Sequence, residues 1–262
     1  MGHIRVGALP GTKPWKEVVR LIGDGADVVS VADATVRASE RAFAFVQDDP
    51  GFKEAVWLMT QLAVAAKKSD PAGHLSSVGI ELSKDASLAE VAVAVSEALD
   101  RKIDAAGARS DFGEMAQRAL VAAVSGYLDE RLHGLFSATP EDVASALRKL
   151  GRKKEFGQLS GSFFARLTRE CLGYFLSKTL ATHLGDGQRF ATMNQMAQFE
   201  RALEKYCQEV SGIVEGFGGE WFSKHLFEER GDISRKSSEG FGWFALEKMR
   251  KEIGARGEQD AD

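Results

Sequence analysis

The sequence is poor in the residues from which disulfide frameworks, metal centres and membrane anchors are built. Two cysteines occur in 262 residues, Cys171 and Cys207, and both sit inside apolar helical patterns rather than at Cys-x-x-Cys spacing. A disulfide scaffold is thereby excluded, and the two thiols suit a reducing compartment in which they serve as small core hydrophobes. Of the five histidines, only His133 follows a glutamate at helical metal-binding spacing, in Glu130-Arg131-Leu132-His133. A di-iron bundle needs a second Glu-x-x-His half-site, and His3, His74, His183 and His225 supply none. No metal and no cofactor are expected.

Long apolar runs are missing too. The longest mostly apolar stretch, 55–66, carries Thr60 and Gln61 and falls short of the ~20 residues that span a bilayer. The opening MGHIRV has no apolar core of a secretory signal. These features predict a cytoplasmic protein without membrane contact. The net charge of −4 gives no general attraction to phosphate backbones, so any nucleic-acid contact must come from a local basic patch.

Two loops come close to catalytic or phosphate-binding motifs and fail. Gly7-Ala8-Leu9-Pro10-Gly11-Thr12-Lys13 has three residues between its glycines where a phosphate loop needs four, its threonine precedes the lysine, and Pro14 removes a needed amide donor. Gly157-Gln158-Leu159-Ser160-Gly161 has the wrong spacing for a nucleophile elbow, and the chain supplies no parallel sheet to carry one.

What the sequence does contain is helical periodicity bounded by capping residues. Pro14 opens a helix over 15–22, and Asp27 caps one reaching about residue 46. Asp49-Pro50 starts a deeply packed helix over 51–68, and a turn-rich connector follows over 69–86. Ser87 with Glu90 forms a capping box ahead of Leu88, Val91, Val95 and Leu99. A break at 105–109 precedes a helix over 111–136 capped by Ser110. Thr139-Pro140-Glu141-Asp142 starts another that ends at Gly151.

Beyond it, a helix is expected over 162–183. Met196, Phe199, Leu203, Tyr206, Val210, Ile213 and Phe217 then form a seam with steps of three and four, read as half of an intramolecular helix pair. Two short helices, 221–228 and 241–253, complete the pattern. The expected fold is all-α: an irregular bundle of about eight to ten helices, with at most minor extended segments near residues 3–7 and 79–82. Its parts are an N-terminal helical region (1–104), a C-terminal bundle (110–253) and a disordered tail (254–262).

Two surfaces emerge as candidates. Arg148, Lys149, Arg152, Lys153 and Lys154, followed by Arg166 and Arg169, could grip phosphate or nucleic acid. Trp221, Phe222, Phe227, Phe241, Trp243 and Phe244, interleaved with glycines, could form a face for a protein partner. A third set, Glu130, His133, His225 and Glu228, is what an acid–base site would have to be assembled from. The leading expectation is a non-enzymatic adaptor subunit of a larger, bacterial-type assembly. The alternatives are a nucleic-acid accessory protein using residues 148–154 and an enzyme with a scattered Glu/His site.

Overall fold

A computed structural model describes residues 13–39, 46, 48–107, 109–132 and 138–259. Among them the chain forms ten helices: α1 (Lys13–Gly23), α2 (Val28–Ala38), α3 (Pro50–Ala65), α4 (Pro71–Ser77), α5 (Leu88–Ala106), α6 (Asp111–Leu132), α7 (Pro140–Lys149), α8 (Lys153–Thr182), α9 (Met193–Glu228) and α10 (Arg235–Gln259). No strand occurs among the described residues, and an isolated bridge joins Leu184 to Phe190. The protein is an all-α multi-helix bundle. The segment 3–7 lies outside the described residues, and 79–82 forms a turn in which Gly79 takes a φ of +94°.

The helix starts follow from side chains that satisfy orphan amides. Asp27 accepts from the Ser30 amide at 3.0 Å and Asp49 from Phe52 at 2.9 Å. Ser87 and Glu90 exchange the two bonds of a capping box, as do Thr139 and Asp142. The Ser110 hydroxyl accepts from the Gly113 amide at 2.9 Å and donates to the Asp49 carboxylate, so the caps of α3 and α6 are bonded to each other. The two helix ends meet at glycine on glycine. A Cβ added to Gly51 would stand 2.5 Å from the Gly113 Cα.

Helix α3 is the most enclosed element, packed by α4, α5, α6, α7 and α10. Its polar side chains are all partnered. Thr60 donates to the Val56 carbonyl at 2.9 Å, Gln61 donates to the Ile233 carbonyl at 3.2 Å and receives His74 Nε2 at 2.8 Å, and Glu54 pairs with Arg235. The buried core is continuous from Trp15 to Ile253, so helices from both sides of the 105–109 turn share it.

The most extensive helix contact is between α8 and α9. The seam from Met196 to Phe217 is therefore covered within the chain, chiefly by α8. This pairing also explains two differences from the sequence expectation, and packing of α10 on α2 goes with a third. Helix α8 begins at Lys153 rather than near 162, because Gly157, Ser160 and Gly161 form a shallow strip that admits α9 instead of breaking the helix. A Cβ on Gly157 would stand 2.8 Å from the Glu215 carbonyl oxygen. For the same reason α9 runs unbroken to Glu228, where two helices divided at the glycines 216–219 were expected; Gly218 and Gly219 lie against Ser160 and Lys153. Helix α10 begins at Arg235 and continues to Gln259, which corrects the expected disorder of 254–262 for its first six residues. Gly254 and Gly257 there close over Asp33 of α2, a residue buried in mid-helix and paired with Arg37 at 2.7 Å. Residues 260–262 lie outside the described part.

The long connection between α8 and α9 is tied down by Arg189. Its guanidinium donates to the Ile22 carbonyl at 3.0 Å and to the Ala26 carbonyl, filling acceptors at the end of α1. It also lies over the rings of Phe190 and Phe199.

Candidate functional site

The basic run is divided between two helix ends with opposite electrostatics. Arg148 and Lys149 close α7, where cations oppose the negative end of the dipole. Arg152 occupies the cap position of α8, and Lys153 and Lys154 its first turn, where the dipole is unfavourable to cations. Arg148 is held by Glu141 at 2.7 Å, and Lys153 is held by Glu220 of α9 in a close ion pair. Lys149, Arg152 and Lys154 have no carboxylate at ion-pair distance among the described residues. They are the free charge of this surface.

Glu155, the nearest acid in sequence, feels the Arg152 charge but makes its hydrogen bonds in the α6–α8 contact. It accepts from the Tyr127 hydroxyl at 2.9 Å and from Arg131, whose guanidinium also reaches Gln158 at 2.8 Å and covers the Tyr127 ring. Burial works to raise the Glu155 carboxyl, but the Tyr127 and Arg131 hydrogen bonds outweigh it and hold the group below the ordinary glutamate range. Burial pushes the Tyr127 phenol up, and its bond to Glu155 pushes it further. The sequence pattern missed this cluster, since Tyr127 and Arg131 lie on one helix and Glu155 on another.

Arg166 and Arg169 do not join the basic turn. Twelve residues of helix separate Lys154 from Arg166, about 18 Å along α8. Both instead line a groove between α6, α8 and α9, formed by two adjoining cavities of about 220 and 260 Å³ that share Arg118, Arg169 and Glu170. Glu170 takes Arg118 at 2.9 Å and lies 3.7 Å from Arg169. Arg166 donates weakly to Ser162 at 3.4 Å.

The six aromatics separate by helix register. Phe222 and Phe241 are core residues, each 1% exposed; Phe222 stacks on Phe156 and Phe241 meets it tilted, at 48°. Half-buried Trp221 stacks on Phe241 at 4.4 Å and on His225 at 4.6 Å. Trp243 and Phe244 face outward from α10, Phe244 covering Phe217 at 5.1 Å. Phe227 is the extreme case at 86% exposure.

Phe227 is also where the two candidate surfaces converge. It follows Glu220 at i+7 and therefore rises on the same face of α9, about 10 Å further along. Glu220 is the residue that grips Lys153. Lys224, between them at i+4 from Glu220, adds another cation to this face and lies 3.9 Å from Glu228. Phe227 thus shares a face of α9 with Glu220, the residue that holds the first lysine of α8.

The scattered Glu/His set is not gathered. His133 lies outside the described residues. Glu130 is exposed on α6 beside Arg131 at 3.7 Å. On α9, His225 Nδ1 bonds the Trp221 carbonyl at 2.9 Å, and Glu228 faces Lys224. No hydrogen bond or ion pair among the described residues links Glu130 to His225 or Glu228, and no group of three metal-binding side chains forms among them. No described helix is long and apolar enough to cross a membrane. No protein-family model, curated protein or solved structure matches the chain.

Proposed function

We propose that this protein is an adaptor subunit that docks an acidic segment of a partner protein, anchored by an apolar side chain, on the surface formed by the α7–α8 turn and the last turns of α9. One juxtaposition carries the reading: Lys153 is bound to Glu220, and Phe227, 86% exposed, stands on the same face of α9. An exposed aromatic ring on the same helix face as an ion pair to a basic turn has the composition of a binding anchor, since the ring supplies area to desolvate while nearby cations steer and orient the partner. Lys149, Arg152, Lys154 and Lys224 supply that charge.

A rigid mount favours such a role. The α9 seam is already buried against α8, so the helix presents its outer face without rearrangement. A short acidic segment suits this footprint better than a nucleic-acid duplex, because the cations cluster within residues 148–154 and the chain carries a net charge of −4 that repels a long polyanion elsewhere. Buried, unpaired Cys171 and Cys207 are compatible with the cytoplasm, and a larger, bacterial-type assembly is the setting in which we place the protein.

The test is comparative co-purification from the native host. Tagged wild type is compared with the variant Lys149→Glu, Arg152→Glu, Lys154→Glu, Phe227→Ser, after both give the same circular dichroism and melting point. The wild type is expected to retain a protein partner that is released by salt and reduced at least tenfold by the variant. Equal retention on both proteins counts against the surface. Retention abolished by nuclease transfers the surface to nucleic acid.

A further inference from the structure

A second site, resting on other observations than the adaptor surface, borders the basic turn at Arg148. Helices α3, α4 and α7 and the connector over 80–86 enclose a cavity of about 180 Å³. Its walls are Leu62, Leu75, Val143 and Leu147, and its polar groups are confined to Ser83, Lys84 and Arg148. Protein interiors are normally filled to crystal-like density. Here the space is held open by small side chains from each wall: Ala65 from α3, Ala72 from α4, Ala86 from the connector and Ala144 from α7. An apolar cavity with a few polar groups is the usual build of a small-ligand site.

The two cations are not equivalent. Arg148 is already engaged by Glu141 at 2.7 Å. Lys84 is exposed at the end of the connector, with no carboxylate at ion-pair distance among the described residues. We propose that this cavity binds a small aliphatic carboxylate, its alkyl chain between α3, α4 and α7 and its carboxylate on Lys84. At ~30 Å³ for each water-sized unit, the volume accommodates a chain of roughly six to eight carbons.

The apolar part of the ligand is dehydrated on entry, so each methylene contributes about 0.8 kcal/mol, a threefold to fourfold change in affinity. The carboxylate adds the smaller contribution of an exposed ion pair, about twofold to fivefold. These two dependences separate the proposed mode from adsorption to the surface.

The experiment is titration calorimetry or ligand-observed NMR with octanoate, hexanoate, butanoate and 1-octanol. Wild type is expected to bind octanoate at one saturable site, weakening about threefold to fourfold with each methylene removed. Ala144→Leu, which adds three carbons inside the cavity, is expected to abolish binding of both octanoate and octanol. Lys84→Gln, a substitution on the surface that leaves the core untouched, is expected to weaken octanoate about twofold to fivefold and leave octanol unchanged. No saturable octanoate binding by wild type, or binding by a folded Ala144→Leu equal to that of wild type, overturns the site. Equal losses for octanoate and octanol in Lys84→Gln overturn the role of Lys84. The chain-length series requires no variant, so misfolding of Ala144→Leu does not rescue the proposal.

Discussion

Two glycines three residues apart on α9 should respond to the same substitution with opposite sign. Alanine normally stabilises a helix interior relative to glycine by about 0.5–1 kcal/mol, because it loses less backbone entropy on folding. At Gly216, an exposed position with nothing within 4 Å of an added Cβ, this gain should appear undiminished. At Gly219 the added Cβ would overlap the Lys153 carbonyl oxygen and stand 2.9 Å from Lys153 Cγ and 3.0 Å from its carbonyl carbon. The obstacle is backbone, so α8 and α9 must part at their closest approach. Overpacking of this kind costs about 1–3 kcal/mol, which offsets the helix gain and leaves a net loss of up to about 2.5 kcal/mol. At ~2–4 °C per kcal/mol for a chain of this size, Gly219→Ala should lower the melting temperature by up to about 10 °C and Gly216→Ala should raise it by about 1–4 °C. Thermal unfolding followed by circular dichroism measures both. Stabilisation by Gly219→Ala equal to that by Gly216→Ala would refute the close α8–α9 contact.

Three further outcomes follow from buried polar groups and thiols. Burial, with Lys68 adding to it and Asp232 opposing, holds His74 below the usual histidine range, so the folded protein keeps it neutral where the unfolded chain binds a proton. Its contribution is therefore full above the unfolded value of ~6.5 and is lost as pH falls through that value towards the folded one. The melting point should drop more steeply from pH 7.5 to 5.5 in wild type than in His74→Gln. Arg189→Met removes the charged donor from the carbonyls that end α1, and should cost about 2–3 kcal/mol and expose α1 to limited proteolysis before the rest of the chain. Burial pushes the Cys207 thiol up to about 12 and Cys171 higher still, so neither should react with a disulfide reagent at pH 8 until the protein is unfolded.

The parts of this fold legible in the sequence are the local ones. Asp27, Asp49, Ser87 and Thr139 mark helix starts because a cap is satisfied within three residues of itself, and the pattern carries the whole interaction. The glycine-rich segments were misread because their role depends on another helix. Gly157 and Gly161 look like a break until α9 is laid across them, and Gly218 and Gly219 look like one until Ser160 and Lys153 fill the space a side chain would need. That error spread to the candidate site. With α9 divided at its glycines, Trp221, Phe222 and Phe227 shared a helix but had no register with the buried seam; with it continuous, the buried steps Val210, Val214, Gly218 and Phe222 place Phe222 inside and Phe227 outside. The expected grouping of Arg166 and Arg169 with the basic turn failed for the same reason, since a helix that starts at Lys153 carries them away from it.

The adaptor reading rests on Phe227 sharing a face of α9 with the Glu220 that holds Lys153, and site-specific photo-crosslinking in the native host tests it most directly. A photoreactive residue in place of Phe227 should give a covalent adduct with a discrete protein, and the adduct should disappear when Lys149, Arg152 and Lys154 are changed to glutamate. The same residue in place of Val93, also exposed, on α5 at 54%, should give none. Identical adducts from both positions, or an adduct at 227 that survives the charge reversal, would contradict the account.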